Sequence, residues 1–372
     1  MILFWIGALF VGYTYVGYPV LIWILARRRP AIQPPEAAPT ELPSIAFIVA
    51  AFNERSRIRS KVESLLGVHY PAELRQVIVV SDGSTDGTED EIPVDESVTT
   101  LRQLRTGKPS ALNRAVRAAR SDIVVFCDVR QVVDPDAPRR LVARLADPTI
   151  GAVGGELQML ASGSATTRSI GAYWSYEKTL RSNESRIDSS VGLSGALYAM
   201  RRVDWDDLPE DTVLDDLLVP MQLIRRGYRV VVEPAARFTD AAQDTLEGER
   251  RRKLRTLSGN FQLFRSHPWV LSPLRNRLWW QFYSHKVFRL LVPYALIAML
   301  AGTAIAVGVV ARTFFWLQIA CYVMAYVGLR SSTLRKVRLF NAAAMFLDLN
   351  MIALRALPAS RPGRIDARWE KT

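Results

Sequence analysis

A chain of 372 residues can hold one large domain or two ordinary ones, and its formal net charge of +12 raises nucleic acid as a partner. The mean hydropathy is slightly positive at +0.07, and a chain both basic and apolar reads as a membrane protein with a basic cytoplasmic face, which sets nucleic-acid binding aside. Two cysteines form no disulfide framework or zinc spacing, and the three scattered histidines, His69, His267 and His285, make no histidine metal site or catalytic triad. Cys127 and Cys321 both lie in apolar runs and are expected to be buried thiols.

Residues 1–26 are almost wholly apolar and lead into Arg27-Arg28-Arg29. Without a positive start or a small-residue cleavage site, the segment predicts a transmembrane helix whose C-terminal end faces the cytoplasm. Residues 27–43, rich in Pro and Ala, predict a linker. From residue 44 the pattern alternates. Strands are expected at 44–51, 76–81, near 99–104, at 122–127 and near 150–157, with helices at 55–66, 110–119 and 135–145. This predicts an α/β domain over 44–265, with a mainly parallel sheet covered by helices on both faces. Residues 160–265 are less regular and are expected to hold its substrate-facing half. Residues 273–289 carry Trp279, Trp280, Phe282, Tyr283, His285, Lys286 and Arg289, and predict an interfacial helix at the headgroup level. Two further transmembrane helices are expected at 290–311 and 314–330. Their link, Arg312-Thr313, has one charge, whereas the following segment holds Arg330, Arg335, Lys336 and Arg338, so the hairpin leaves the cytoplasm and returns. Residues 339–357 are interrupted by Asn341, Asp348, Asn350 and Arg355 and read as interfacial, re-entrant or transmembrane. Residues 358–372 form a basic cytoplasmic tail.

Three carboxylate positions and one basic cluster carry the chemistry. Asp82 and Asp128 each end an apolar, β-branched run, which is how a parallel sheet delivers acids to the edge where ligands bind. Asp82 is followed by Gly-Ser-Thr-Asp-Gly, small residues that let a ligand approach the backbone, or alternatively a polar turn. Asp128 suits a hard divalent cation; the alternative is an ion pair with Arg130 or Lys108. Asp215-Asp216 opens a helical pattern that stops at Arg225-Arg226-Gly227, so Asp216 is a general base or a helix cap. In Arg250-Arg251-Arg252-Lys253-Leu254-Arg255, Arg252 and Arg255 share a helix face that suits a diphosphate, or is simply solvated. Gly107-Lys108-Pro109-Ser110 is no P-loop, because Arg102 stands where the first glycine belongs.

Taken together, Ala51-Phe52-Asn53-Glu54, Ser81 to Asp86, Gly107-Lys108, Asp128, Asp215-Asp216 and Arg252 to Arg255 resemble the membrane-bound family 2 glycosyltransferases with a GT-A fold, which include cellulose, hyaluronan and ceramide-sugar synthases. The resemblance covers about residues 44–264. It implies that Ala51, Glu54 and Asp82 line a nucleoside pocket with Lys108 nearby, and that Asp128 holds Mg²⁺ or Mn²⁺. It also implies that Asp216 is the catalytic base, that Arg252 and Arg255 hold the diphosphate, and that Gly195 and Asp215 lie on the acceptor side. The partners implied are a nucleotide-sugar donor, a lipid-linked or carbohydrate acceptor and the bilayer, with the enzyme integral to a bacterial inner membrane and its catalytic domain cytoplasmic. Arg130 replaces the second Asp of the metal motif, and Thr256 replaces the Trp expected after the last Arg. The expected activity is inverting sugar transfer. The rivals are a processive polysaccharide synthase and an inactive membrane scaffold that Arg130 would favour.

Overall fold

The computed structural model describes residues 1–30, 41–159, 165–240, 246–331, 333–361 and 363. Most of the expected linker and of the basic tail lies outside the described residues. The strands are β1 (Ile45–Ala51), β2 (Arg75–Asp82), β3 (Val98–Gln103), β4 (Ile123–Cys127), β5 (Val132–Val133), β6 (Ile150–Met159), β7 (Leu197–Arg201) and β8 (Arg229–Asp240). The helices are α1 (Ile2–Arg27), α2 (Arg55–Leu66), α3 (Lys108–Ala118), α4 (Ala137–Leu145), α5 (Ala165–Ile187), α6 (Asp215–Arg225), α7 (Leu246–Ser266), α8 (Trp279–Ala304), α9 (Val309–Arg330) and α10 (Arg338–Ala359).

One eight-stranded sheet runs in the order β3-β2-β1-β4-β7-β6-β8-β5. Strands β3, β2, β1 and β4 are mutually parallel, as are β6 and β8, while β7 runs antiparallel to both its neighbours and β5 antiparallel to β8. The fold is therefore α/β with a mixed, mainly parallel sheet. Period-2 alternation divides the core. In β1, Ala46 and Ile48 pack towards α3 and α6, with Ala111, Leu112, Leu217 and Leu218. Ile45, Phe47 and Val49 face α2 and α4, with Ile58, Val62, Leu141 and Val142.

Four helices, α1, α8, α9 and α10, are long and apolar enough to cross a membrane. Close approach between them uses small residues: a Cβ on Gly328 of α9 would stand 2.8 Å from the Phe340 carbonyl of α10. The structure differs from the sequence reading at 273–289 and 290–311. The aromatic-basic stretch from Trp279 is the first part of α8, and the break comes later, at Gly308 with φ 114°. No helix breaker separates the two stretches, and His285 and Arg289 are turned inward onto carboxylates. Cys321 is exposed, not buried, because it faces outward from α9. Asp348, a charge that interrupted the α10 pattern, pairs with Arg250 of α7 at 2.9 Å.

The amphipathic helix α5 ties the sheet domain to these helices. The buried Glu184 accepts hydrogen bonds from Tyr18 of α1 at 2.6 Å and lies 2.9 Å from His285 Nδ1 of α8. Glu177, two turns earlier on the same face, lies 3.1 Å from His285 Nε2 and pairs with Arg289. Burial opposes the Glu177 charge, but Arg289 and His285 outweigh it and hold this carboxyl well below the usual range. Leu180 of the same helix packs on Tyr18 and Ile22.

Candidate active site

The carboxyl ends of β1, β2 and β4 bring Ala51, Asp82 and Asp128 to one edge, because these strands are parallel. Strand β7 runs the other way and pairs Leu197 with Cys127, so Gly195 arrives beside Asp128. The loop before β7 is also pinned to α6: Leu193 N–H donates to the Asp216 carbonyl at 3.0 Å. A Cβ on Gly195 would lie 3.4 Å from Asp216 Cβ and 3.5 Å from Lys108 Nζ. Gly195 therefore lies within van der Waals range of both groups.

Lys108, the first residue of α3, is the hub. Its ammonium donates to Asp128 Oδ1 at 3.0 Å and stands 3.3 Å from Asp215 Oδ2. Burial works against this charge, but Asp128, Asp215 and Asp216 outweigh it and raise the Lys108 pKa above its ordinary value. Asp216 is pushed the other way for a carboxylate: burial and the Asp215 charge raise its pKa, against a smaller lowering by Lys108. The helix cap at this point is Leu214, without a side-chain cap bond, so Asp216 is no N-cap.

The remaining expected residues frame this centre. Asp82 accepts from Gln103 Nε2 and Thr106 N–H at 2.8 Å and from Gly107 N–H at 2.9 Å, so its carboxylate fastens the turn that presents Lys108. Glu54 borders the crevice after β1. Its N–H donates to Thr88 Oγ1 at 2.8 Å, and Asn53 is laced to Ser84 and Thr85. Arg252 and Arg255 lie on α7, which reaches the base of α6 through Gly259. A Cβ on Gly259 would stand 2.8 Å from Leu214 Cγ. Arg252 pairs with Glu249 at 2.7 Å, and among the described residues no contact joins it to the Asp128–Lys108 centre.

Arg130 is absorbed by a residue that the sequence reading did not weigh. Its guanidinium pairs with Asp240 at 2.6 Å, and Gln131 Nε2 donates to the same oxygen at 3.0 Å. The alternative ion pair of Asp128 with Lys108 is the one formed. Restoring a second carboxylate with Arg130→Asp would therefore set two acids against each other beside the nearly buried Asp240. The expected result is a loss of about 3–5 kcal/mol in chemical denaturation. An unchanged midpoint would show that the Arg130–Asp240 pair does not hold this corner together.

Sequence reasoning also missed Tyr198, whose buried hydroxyl has no hydrogen-bond partner among the described residues and lies near Asp215, Asp216 and Asp128. Its ring stacks on Phe126 with centroids 4.5 Å apart. It missed Arg181 of α5, whose charge favours the ionised form of Asp216. The i, i+4, i+7 spacing of Glu177, Arg181 and Glu184 was the available signal.

Comparison with known proteins identifies the family and the fold. The family profile described as "Glycosyltransferase like family 2" matches residues 43–259. A poly-beta-1,6-N-acetyl-D-glucosamine synthase of Staphylococcus aureus is 26% identical over 272 residues, covering 71% of this chain and 63% of that protein. The synthase of the same name from Staphylococcus epidermidis is 23% identical over 238 residues, covering 62% of this chain and 57% of its own length. The chain thus spans under two thirds of these relatives. Among solved structures, a mannosyltransferase from Pyrobaculum calidifontis, in complex with GDP-Man and Mn²⁺, superposes with a TM-score of 0.73 at 23% identity, over 96% of this chain and 98% of that one. The fold is shared along nearly the whole length, including the apolar helices, and the profile covers more than half of the sequence: the chain belongs to glycosyltransferase family 2.

Proposed function

We propose that the chain is an inverting glycosyltransferase that moves a sugar from a nucleotide-diphosphate sugar, UDP-linked in our reading, to a hydroxyl of a membrane-associated or polysaccharide-precursor acceptor. The observation that carries this reading is the Asp128–Lys108–Asp215 linkage with Asp216 exposed to the same space across Gly195. Asp216 takes the proton from the acceptor hydroxyl. The hydroxyl oxygen bonds to the anomeric carbon as the carbon–oxygen bond to the diphosphate breaks on the opposite face. Charge grows on the leaving diphosphate, and cations that meet it more strongly in the transition state than in the ground state speed the step. Arg252 and Arg255 serve that role on α7, and Lys108 keeps the acid cluster compatible with an anionic donor.

Among the described residues no group of three or more His, Cys, Asp or Glu is placed to hold a metal ion. One carboxylate, Asp128, does fit a cation that takes its other ligands from substrate phosphates and water. Mg²⁺ or Mn²⁺ held by Asp128 would supply charge neutralisation on the leaving diphosphate, a use supported by the Mn²⁺ of the mannosyltransferase. The basic stretches that follow α1 and α9 support a cytoplasmic catalytic domain.

A screen of nucleotide sugars, with and without Mn²⁺ and read by released nucleotide, tests the reading. Release from a restricted set of donors is expected; no release from any of them returns the chain to a binding scaffold. The names of the staphylococcal relatives favour a second reading, processive synthesis. A ladder of products from purified protein, in place of single additions, would select it.

A further inference from the structure

A cavity of about 410 Å³ opens between the end of β6, the middle of α5 and Ser194. It adjoins the proposed base. Ser194 precedes Gly195, which faces Asp216, and Arg181 both lines the cavity and acts on Asp216. Its size falls in the range of about 300–1,000 Å³ usual for small-ligand clefts.

The lining has the chemistry of a sugar site. The partly exposed indole of Trp174 forms one part of the wall, and Gln158, Thr179 and Ser194 add amide and hydroxyl groups. A pyranose has an apolar C–H face and a rim of hydroxyls, which match an aromatic plate and a polar border. Among the described residues the lining holds as many acids, Glu156 and Glu177, as bases, Lys178 and Arg181. Glu156 is paired with Lys178 at 2.6 Å, and Glu177 lies 4.0 Å from Arg181. A cavity built for a phosphate would carry cations in excess over acids. The basic helix α7 offers no aromatic plate at 256, where an exposed threonine stands, yet Arg252 lies 5.9 Å over the Trp174 ring. The indole therefore reaches the basic face from α5.

We propose that this cavity is the acceptor subsite and that it takes a neutral sugar ring against Trp174, with the reacting hydroxyl directed past Gly195 to Asp216. The proposal rests on the transferase reading above and narrows its acceptor to a saccharide. Helix α5 is packed on α1 through Leu180, so the subsite lies on the side of the domain that meets the apolar helices. A saccharide carried by a lipid or growing at the membrane would reach it there.

The full chain in detergent is assayed for nucleotide release alone and with a panel of N-acetylglucosamine and glucose di- to tetrasaccharides. At least one saccharide is expected to accelerate release and to take up the sugar. Trp174→Ala is expected to lower kcat/KM for that saccharide about tenfold, mainly through KM, and to lower acceptor-free release by much less. Trp174→Phe should recover most of the loss. Two outcomes would overturn the subsite while leaving the transferase reading intact. One is transfer to a polyprenyl phosphate in vesicles with no response to any saccharide. The other is an equal loss of release and transfer in both Trp174 variants. A wild-type chain that releases nucleotide from no donor removes the transferase reading itself, and the subsite with it.

Discussion

Asp216→Asn is expected to lower turnover by about 10²–10⁴-fold while nucleotide-sugar binding persists. The amide keeps the shape of the side chain but cannot accept the proton of the attacking hydroxyl. The wild-type pH profile should carry the same signature. Burial and Asp215 raise the Asp216 pKa, so activity should fall with acidification through a value above the usual carboxylate pKa of about 4. The sign for stability is opposite to that of an ion-paired acid. Folding disfavours the ionised form of Asp216; this penalty is absent below the unfolded-state pKa and complete above the folded-state pKa. At neutral pH the substitution removes the penalty, so Asp216→Asn should resist denaturant better than the wild type while turning over far more slowly. Near-normal turnover, or a loss of stability and activity together, would take Asp216 out of the role of base.

Lys108→Met should do damage of a different kind. It leaves Asp128, Asp215 and Asp216 facing one another without the ammonium that links them. Breaking a buried pair costs about 3–5 kcal/mol, and the lower end applies here because the Asp128 side chain is 42% exposed and therefore screened. Lys108 also lowers the Asp216 pKa. Its removal should move the acid limb of the rate profile to higher pH, in addition to lowering the denaturation midpoint. An acid limb that stays in place would mean that Lys108 and Asp216 do not share one electrostatic site.

The first half of the sheet was legible because β1, β2 and β4 bury both faces. Runs such as Ile-Val-Val-Phe-Cys before Asp128 can hardly be anything else, and the acids at their ends followed from strand direction alone. The second half was not. Strand β7, Leu-Tyr-Ala-Met-Arg, has no β-branched residue and owes its conformation to pairing with β4 and β6. Helix α5 is polar because it carries carboxylates whose partners lie on α1 and α8, and no local pattern announces partners more than 100 residues away. For the same reason His285 was set aside at the sequence level as one of three scattered histidines. Its value lies in being held between Glu177 and Glu184. Trp174 and Arg181 share this helix and were overlooked with it. Arg130 was noticed as a substitution, but its meaning depended on Asp240, at the far end of β8.

The tie between α5, Tyr18 and His285 fixes a height. A catalytic domain on a loose tether would sample many distances from the bilayer, and each encounter with a substrate at the membrane would depend on a chance approach. Here the buried Glu184 holds the domain to two apolar helices at once, so the proposed base stands at one constant elevation above the membrane plane. The search for a membrane-borne substrate then becomes two-dimensional. An acceptor is measured by how far its reacting end projects from the bilayer, and one that is too short or too long misses Asp216 however well its sugar fits.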